Sequence, residues 1–323
     1  QLPATITLSL SKIADLRYGE NPHQKAALYA SDQNDPFLIS HKCQIQGKEL
    51  SYNNLLDSDT GVRAIAAFSD PACSIIKHLS PCGVATAQTP EQAFREAFSC
   101  DEESAFGGIV AINRQINELL AEYLTRTFFE VIIAVDYTKS ALEMLSKKKN
   151  LRLLKWPHFH NLYQNDNFQK TLMFRSQIHG LLAQTRDIIK WEKDQYQIVT
   201  QREPTQIEWE ALRFVFLVSA MVQSNAIVFG NSHKTIAIGG GHVSRVDAVK
   251  FSILKSKQSL RHSVVGSDGF FPFRDTIDLI ARTGASAIIQ PGGSIRDKEV
   301  IEACNEHNLA MVFTKERHFR HGI

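Results

Sequence analysis

The sequence contains little that would tie it to a membrane, a nucleic acid or an oxidising compartment. No apolar run approaches the roughly 18 residues of a membrane span. Residues 1–10 lack the basic start and cleavage pattern of a signal peptide. Neither charge sign is in excess, since 36 Lys and Arg against 34 Asp and Glu leave +2. A broad basic surface for nucleic acid is therefore not expected, although a few arginines could still converge on a local anion. Cysteine is scarce and odd in number: Cys43, Cys73, Cys82, Cys100 and Cys304 are widely spaced and mostly set in apolar runs. That suits reduced thiols better than a disulfide framework. The expectation is a soluble, cytoplasmic protein with no membrane and no nucleic-acid partner. The chain also lacks an initial Met, which suggests further sequence upstream of Gln1.

What is present is ordinary globular composition, with 43% apolar and 22% charged residues in 323. Such a length holds one large domain or two of usual size. Strand-like runs alternate with helix-like stretches, the grammar of an α/β protein. Residues 73–77, 109–112, 131–135, 285–290 and 309–313 read as buried strands. Residues 226–229 and 235–238 read as a hairpin around the turn at 230–233. Thr89-Pro90-Glu91-Gln92 and Pro204-Thr205 open helices, and Gly239-Gly240-Gly241 leads through Ser244 into another. Lys147-Lys148-Lys149 caps a helix end and faces solvent. Residues 156–167 turn aromatic and irregular and form the best candidate boundary, giving lobes at 1–160 and 161–323. His158 and His160 have the wrong spacing for a helical metal pair and read as surface residues. The halves share a style without a residue-level repeat.

The most informative segment is Lys77-His78-Leu79-Ser80-Pro81-Cys82-Gly83, which ends a buried strand in an expected Pro-Gly turn. Two titratable bases at a strand terminus can converge where side-chain alternation breaks down, the raw material of proton transfer. A buried Lys stem beside a surface His is the competing explanation. Arg17-Tyr18-Gly19-Glu20-Asn21-Pro22-His23-Gln24 cannot be core. Arg17 suits a phosphate, or the segment is a plain surface turn. Gly239-Gly240-Gly241 matches neither a P-loop nor G-x-G-x-x-G, so it reads as close backbone approach to a ligand or strand. Arg245 places a cation at a helix start, where a bound anion would compensate. Phe270-Phe271-Pro272-Phe273 is either core or a wall for a flat heteroaromatic ligand. Residues 317–321 (Arg-His-Phe-Arg-His) are either a loose tail or a functional loop delivered to a sheet edge.

Together with residues 104–108, Gln223-Ser224-Asn225, Ser244-Arg245, 267–275 and 290–297, these segments resemble the formyltransferase domain of the AICAR transformylase/IMP cyclohydrolase family, from about Leu8 to His321. The resemblance implies an α/β fold of two cytidine-deaminase-like lobes, duplicated three-layer α/β/α units, and a homodimer with active sites at its interface. It implies transfer of the formyl group of 10-formyltetrahydrofolate to the 5-amino group of AICAR, in IMP biosynthesis. The family's cyclohydrolase domain is absent from these residues. Zinc deaminases need Pro-Cys-x-x-Cys, and here Ala85 stands three residues after Cys82, so zinc chemistry is not expected. The resemblance leaves room for a monovalent cation such as potassium.

By matching motif positions, Lys77, His78 and Asn225 are the catalytic candidates. His78 would take the amine proton, Lys77 would protonate the folate nitrogen, and Asn225 would hold the amine or oxyanion; exchanged roles for Lys77 and His78 fit equally. Arg17, Tyr18 and Arg317 would clamp the ribose phosphate, while Gly107, Glu130, Arg245 and His321 complete the AICAR pocket. Phe270 and Pro272 would wall both ligands, with Asp275 and Val246 on the folate side. Departures from the family pattern are Leu217 and Ala220 for lysines, His179 for glycine, Glu102 for proline and His242 for glutamine. Gly322-Ile323 extends past the usual terminal histidine, so no role is expected for a carboxylate terminus. A catalytically silent AICAR-binding or scaffolding domain is the alternative, and a proton donor set beside a base favours the enzyme.

Overall fold

A computed structural model describes residues 2–322. An antiparallel arm, β1 (Ser11–Leu16) and β2 (Ala26–Ala30), leads into the first lobe. In order follow β3 (Gln44–Gln46), α1 (Tyr52–Ile65), β4 (Ala72–Lys77), β5 (Ser80–Thr86), α2 (Pro90–Phe98), α3 (Glu102–Ala105), β6 (Ile109–Ile116), α4 (Glu118–Thr125), β7 (Val131–Tyr137), α5 (Lys139–Leu145) and β8 (Arg152–Lys155). A short helix α6 (Asp166–Lys170) and a second arm, β9 (Met173–Gln177) with β10 (Gly180–Gln184), come next. The second lobe runs β11 (Gln197–Ile198), α7 (Gln206–Ser219), β12 (Ile227–Gly230), β13 (Thr235–Gly239), α8 (Arg245–Lys255), β14 (Val264–Ser267), α9 (Arg274–Arg282), β15 (Ala287–Gln290), α10 (Asp297–Glu306) and β16 (Ala310–Phe313).

The two sheets are topological copies. The first has the order β3-β8-β7-β6-β4-β5 and the second β11-β16-β15-β14-β12-β13. In each, the second and third pairings in that order are parallel and the three others antiparallel. Alternation along β6 divides the packing cleanly. Val110 and Ile112 meet a cluster with α2 and α4, whereas Ile109 and Ala111 join α1 and α7 in a core common to both lobes. Phe68 and Phe214, 5.3 Å apart between ring centroids, join the lobes there. The edge strands β5 and β13 also meet. The Thr86 N–H donates to the His233 carbonyl at 2.7 Å and the Val84 N–H to Thr235 Oγ1 at 3.0 Å, so neither edge offers an open ladder at that point.

Local signals account for several helix starts, although α8, α9 and α10 lack a side-chain cap. Thr89 caps α2 through the Gln92 N–H. Thr205 and Glu208 form a reciprocal capping box on α7. Glu208 also receives both arms of Arg202, at 2.7 and 2.9 Å. Burial pushes its carboxyl up, but the hydrogen bonds from Arg202 and the Thr205 N–H prevail and hold it at about 2. Its folded pKa is thus below the unfolded value, so its stabilising contribution is present above about 4.5 and lost as pH falls through about 2. Glu208→Gln should therefore lower stability at pH 7 and flatten its decline below pH 4.5; urea titrations across that range read both.

Two expectations need correction. The hairpin turn is His78-Leu79, not the Pro-Gly segment; Ser80–Thr86 is itself a strand. Pro81 is tolerated because β5 is an edge strand and its register shifts beside Ile76. The irregular stretch after β8 packs inward, with Trp156 and Phe159 fully buried in the common core. Finally, β16 is not a sheet edge; the two-residue β11 covers it.

Candidate functional site

The β4–β5 hairpin closes through two non-glycine residues in left-handed conformation, His78 at φ 53° and Leu79 at φ 64°. Positive φ at both central positions is what a tight two-residue hairpin requires, and each costs a side-chain-bearing residue on the order of 1 kcal/mol. Asp57, on α1, offsets this by accepting the Leu79 N–H at 2.6 Å. Burial raises the Asp57 carboxyl above the usual range, opposed by that hydrogen bond and by the proximity of His78. Sequence reading missed Asp57 because an acid on a helix face looks merely solvated.

This turn places Lys77 and His78 on one cavity of about 210 Å³, whose opposite wall is Gly240, Phe251 and Lys255 of the second lobe. Lys77 Nζ donates to the Phe106 carbonyl at 2.5 Å. Gly107, at φ +72°, lies beside it, and a Cβ there would come within 3.9 Å of Nζ. Glu130 enters through its backbone bond to Gly108, but its carboxylate is bound to Arg152 at 2.7 Å. Asp101 and Lys255 cross the rim at 3.0 Å. Burial would raise Asp101, but Ser104 and Lys255 hold it below the usual range. Cys82 also lines the cavity, and burial pushes its thiol far up, so it offers no nucleophilic thiolate.

The second lobe brings Asn225 to the same junction. Gln223 Nε2 donates to the His78 carbonyl at 3.3 Å, and Asn225 follows two residues later. The Asn225 backbone N–H and Nδ2 both donate to the His242 carbonyl, at 3.0 and 2.9 Å, while Oδ1 accepts from Arg245 at 2.8 Å. An amide carries two donors and two lone pairs, so one N–H and one lone pair of Asn225 stay available to a ligand. His242 holds Asn225 through its carbonyl, while its ring packs against cavity-lining Phe251 at 4.9 Å between centroids.

Arg245 is buried and its compensating anion is internal. Asp268 meets it at 2.6 Å, and both side chains are almost wholly excluded from solvent. Asp268 also accepts the Ala226 N–H at 3.0 Å and the Ser224 hydroxyl. The expected external anion at this helix start is thus replaced by a carboxylate 23 positions along the chain. Gly240 serves close packing, since a Cβ there would lie 2.3 Å from Val222.

Residues 317–321 are anchored rather than loose. The Ser224 N–H donates to the Arg320 carbonyl and the Arg320 N–H to Ser224 Oγ, both at 2.9 Å, and buried His318 meets Asp187 at 2.9 Å. Arg317 and His321 remain exposed, with Arg317 over the Phe319 ring at 4.5 Å. Arg17, at the end of β1, is exposed and lies over its neighbour Tyr18 at 5.3 Å. Among the described residues, no hydrogen bond or ion pair joins Arg17 or Arg317 to the Lys77-His78 turn. Phe270 and Phe273 are partly exposed while Phe271 is buried, so only the middle of the aromatic segment is core. Half-buried Pro272 and Val246 lie at the starts of α9 and α8, where Asp275 accepts the Thr276 N–H at 2.7 Å. The lobes contribute opposite strand ends: β6 and β7 begin at the site, whereas β14 finishes there.

Residues 1–255 match the family model described as AICARFT/IMPCHase bienzyme. The chain is 44% identical over 320 residues to a bifunctional purine biosynthesis protein PurH of Halalkalibacterium halodurans, covering 99% of this chain and 61% of that protein. PurH proteins of an Anaeromyxobacter species (strain Fw109-5) and Aquifex aeolicus are 47% and 46% identical, over 99% and 97% of this chain and 62% and 60% of theirs. The chain therefore spans about three-fifths of the length of these relatives.

Proposed function

Since the chain belongs to the AICARFT/IMPCHase bienzyme family, we propose that it carries the formyl-transfer half of that chemistry, moving the formyl group of 10-formyltetrahydrofolate to the 5-amino group of AICAR. One observation supports this above the others: Lys77 and His78 line a single cavity, and the His78 carbonyl is tied to the segment that carries Asn225.

The AICAR amine is a weak nucleophile because its lone pair is conjugated with the ring and carboxamide. His78 removes its proton as the new N–C bond forms to the formyl carbon. Asn225 directs its free amide N–H at the developing oxyanion, a role that suits a group already fixed by Arg245 and His242. Lys77, oriented as a donor by its bond to the Phe106 carbonyl, protonates the folate nitrogen as the C–N bond breaks. The amine loses one proton and the folate gains one; transfer from His78 to Lys77 through water resets the pair. Arg17, Tyr18 and Arg317 would bind the ribose phosphate, His321 would close the AICAR pocket, and Phe270, Pro272, Val246 and Asp275 would hold the pterin. We read each lobe as a deaminase-like unit without its zinc.

Arg17 and Arg317 stand exposed, and the arms present Leu10, Tyr29, Ile178, Leu181 and Leu182 to solvent. A second copy would bury these and bring its arginines to the cavity. The test is an assay of tetrahydrofolate formation with AICAR and 10-formyltetrahydrofolate, alongside sedimentation. Turnover per chain should rise with protein concentration as dimer forms. No product at any concentration would defeat the proposal.

A further inference from the structure

Three guanidiniums gather at the C-terminal half of α1, beyond the Asp57–Leu79 contact. Arg63 lies six residues, or about 9 Å of helix, beyond Asp57. Its carbonyl accepts the Tyr163 hydroxyl at 2.9 Å, which pins the helix to the segment before α6. Tyr163 packs edge-on against Phe168, and Arg186 lies over that ring at 4.4 Å. From the C-terminal segment, Arg320 Nη2 reaches Thr60 at 3.1 Å, three residues before Arg63.

This cluster is short of negative charge. Asp59 is its one carboxylate partner among the described residues, and it stands 3.5 Å from Arg63 with half its side chain in water. Nearby acids are engaged elsewhere: Asp57 with the Leu79 N–H and Asp187 with His318. Burial lowers the Arg320 pKa to about 10 and also lowers that of Arg186, with repulsion from Arg63 adding to it in both cases, whereas burial of Arg63 itself is outweighed by Asp59 and Tyr163, which raise it. Three guanidiniums offer about fifteen N–H donors, but the acceptors supplied are the distant Asp59, one hydroxyl and the Met221 sulfur at 3.6 Å. The Nε atoms of Arg63 and Arg186 are buried with no hydrogen-bond partner among the described residues. Buried donors are normally satisfied, and the planar fork of Arg matches a tetrahedral oxyanion bidentately.

We propose that Arg63, Arg186 and Arg320 form a binding site for a phosphate-type dianion, separate from the Lys77-His78 cavity and from the substrate clamp assigned to Arg17 and Arg317. The site joins α1, the segment after β10 and the C-terminal segment, so its ligand fastens Arg320 and, through the Ser224 bonds, the strand entry that carries Asn225.

The test is calorimetric titration of inorganic phosphate, at constant ionic strength, into the chain carrying Arg17→Ala and Arg317→Ala, so that phosphate on the substrate clamp is not counted. Saturable binding of one phosphate per chain, undisturbed by chloride, is expected. A parallel titration with glycerol 3-phosphate distinguishes the source: equal binding identifies a phosphomonoester site, and binding of inorganic phosphate alone identifies a site for the free ion. Arg63→Met with Arg186→Met should weaken binding at least tenfold. Asp59→Asn removes the competing carboxylate and should tighten it about tenfold, a result that does not depend on the arginine variant folding. Heat that tracks ionic strength without saturating, or an Asp59→Asn chain that binds phosphate no more tightly, overturns the proposal.

Discussion

Replacing His78 with Ala lowers turnover by about two to four orders of magnitude, the usual contribution of a positioned general base, and leaves AICAR affinity nearly unchanged. His78 touches the reaction through its ring, whereas the turn that carries it is held by main-chain bonds: Asp57 to the Leu79 N–H and Gln223 to the His78 carbonyl. Those bonds survive the substitution. Alanine is no better suited than histidine to positive φ, so the hairpin neither gains nor loses a strained residue. The measurement is steady-state kinetics beside equilibrium binding of AICAR. Turnover within a factor of three of the parent chain, at equal substrate saturation, would remove His78 from the chemistry.

The largest effect on stability is expected at Asp268. Its carboxylate is fully buried and holds together Arg245, the Ser224 hydroxyl and the Ala226 N–H. Asp268→Ala leaves a buried guanidinium without its counter-ion, which costs about 3–5 kcal/mol. Two further donors lose their acceptor in the same stroke. Arg245 also fixes the Asn225 amide oxygen, so the surviving folded fraction should have slack Asn225 geometry and reduced turnover as well. Urea denaturation measures the first effect and kinetics below the transition the second. A loss below about 1 kcal/mol, the worth of an ordinary hydrogen bond, would mean that the pair does not organise this junction.

The α/β class, most strands and the convergence of Lys77 and His78 were legible because they depend on short-range patterns. A β-branched run ending in two bases states both a buried strand and an anomaly at its end. The turn itself was misread. Pro and Gly usually mark a break, but here β5 is an edge strand, and the left-handed residues are His78 and Leu79. Nothing local announces that a histidine and a leucine will take positive φ; Asp57, 22 residues earlier, helps hold them there.

Arg245 shows the same divide. Its placement at a helix start is an electrostatic misfit visible in sequence, and an anion was the right remedy to expect. That the anion is Asp268 depends on β14 finishing beside the entry to β12, a pairing that no local pattern encodes. The duplication was likewise visible only as a style, because six strands of two to eight residues can share an order without sharing residues.

The most direct test of the account is a structure of the chain with AICAR bound. The account predicts the 5-amino nitrogen in the cavity between the lobes, within about 3 Å of the His78 ring, with the free Asn225 amide N–H turned toward the adjoining space where the formyl oxygen would sit. AICAR seated away from that cavity in every copy, with His78 and Lys77 both facing solvent, would contradict it.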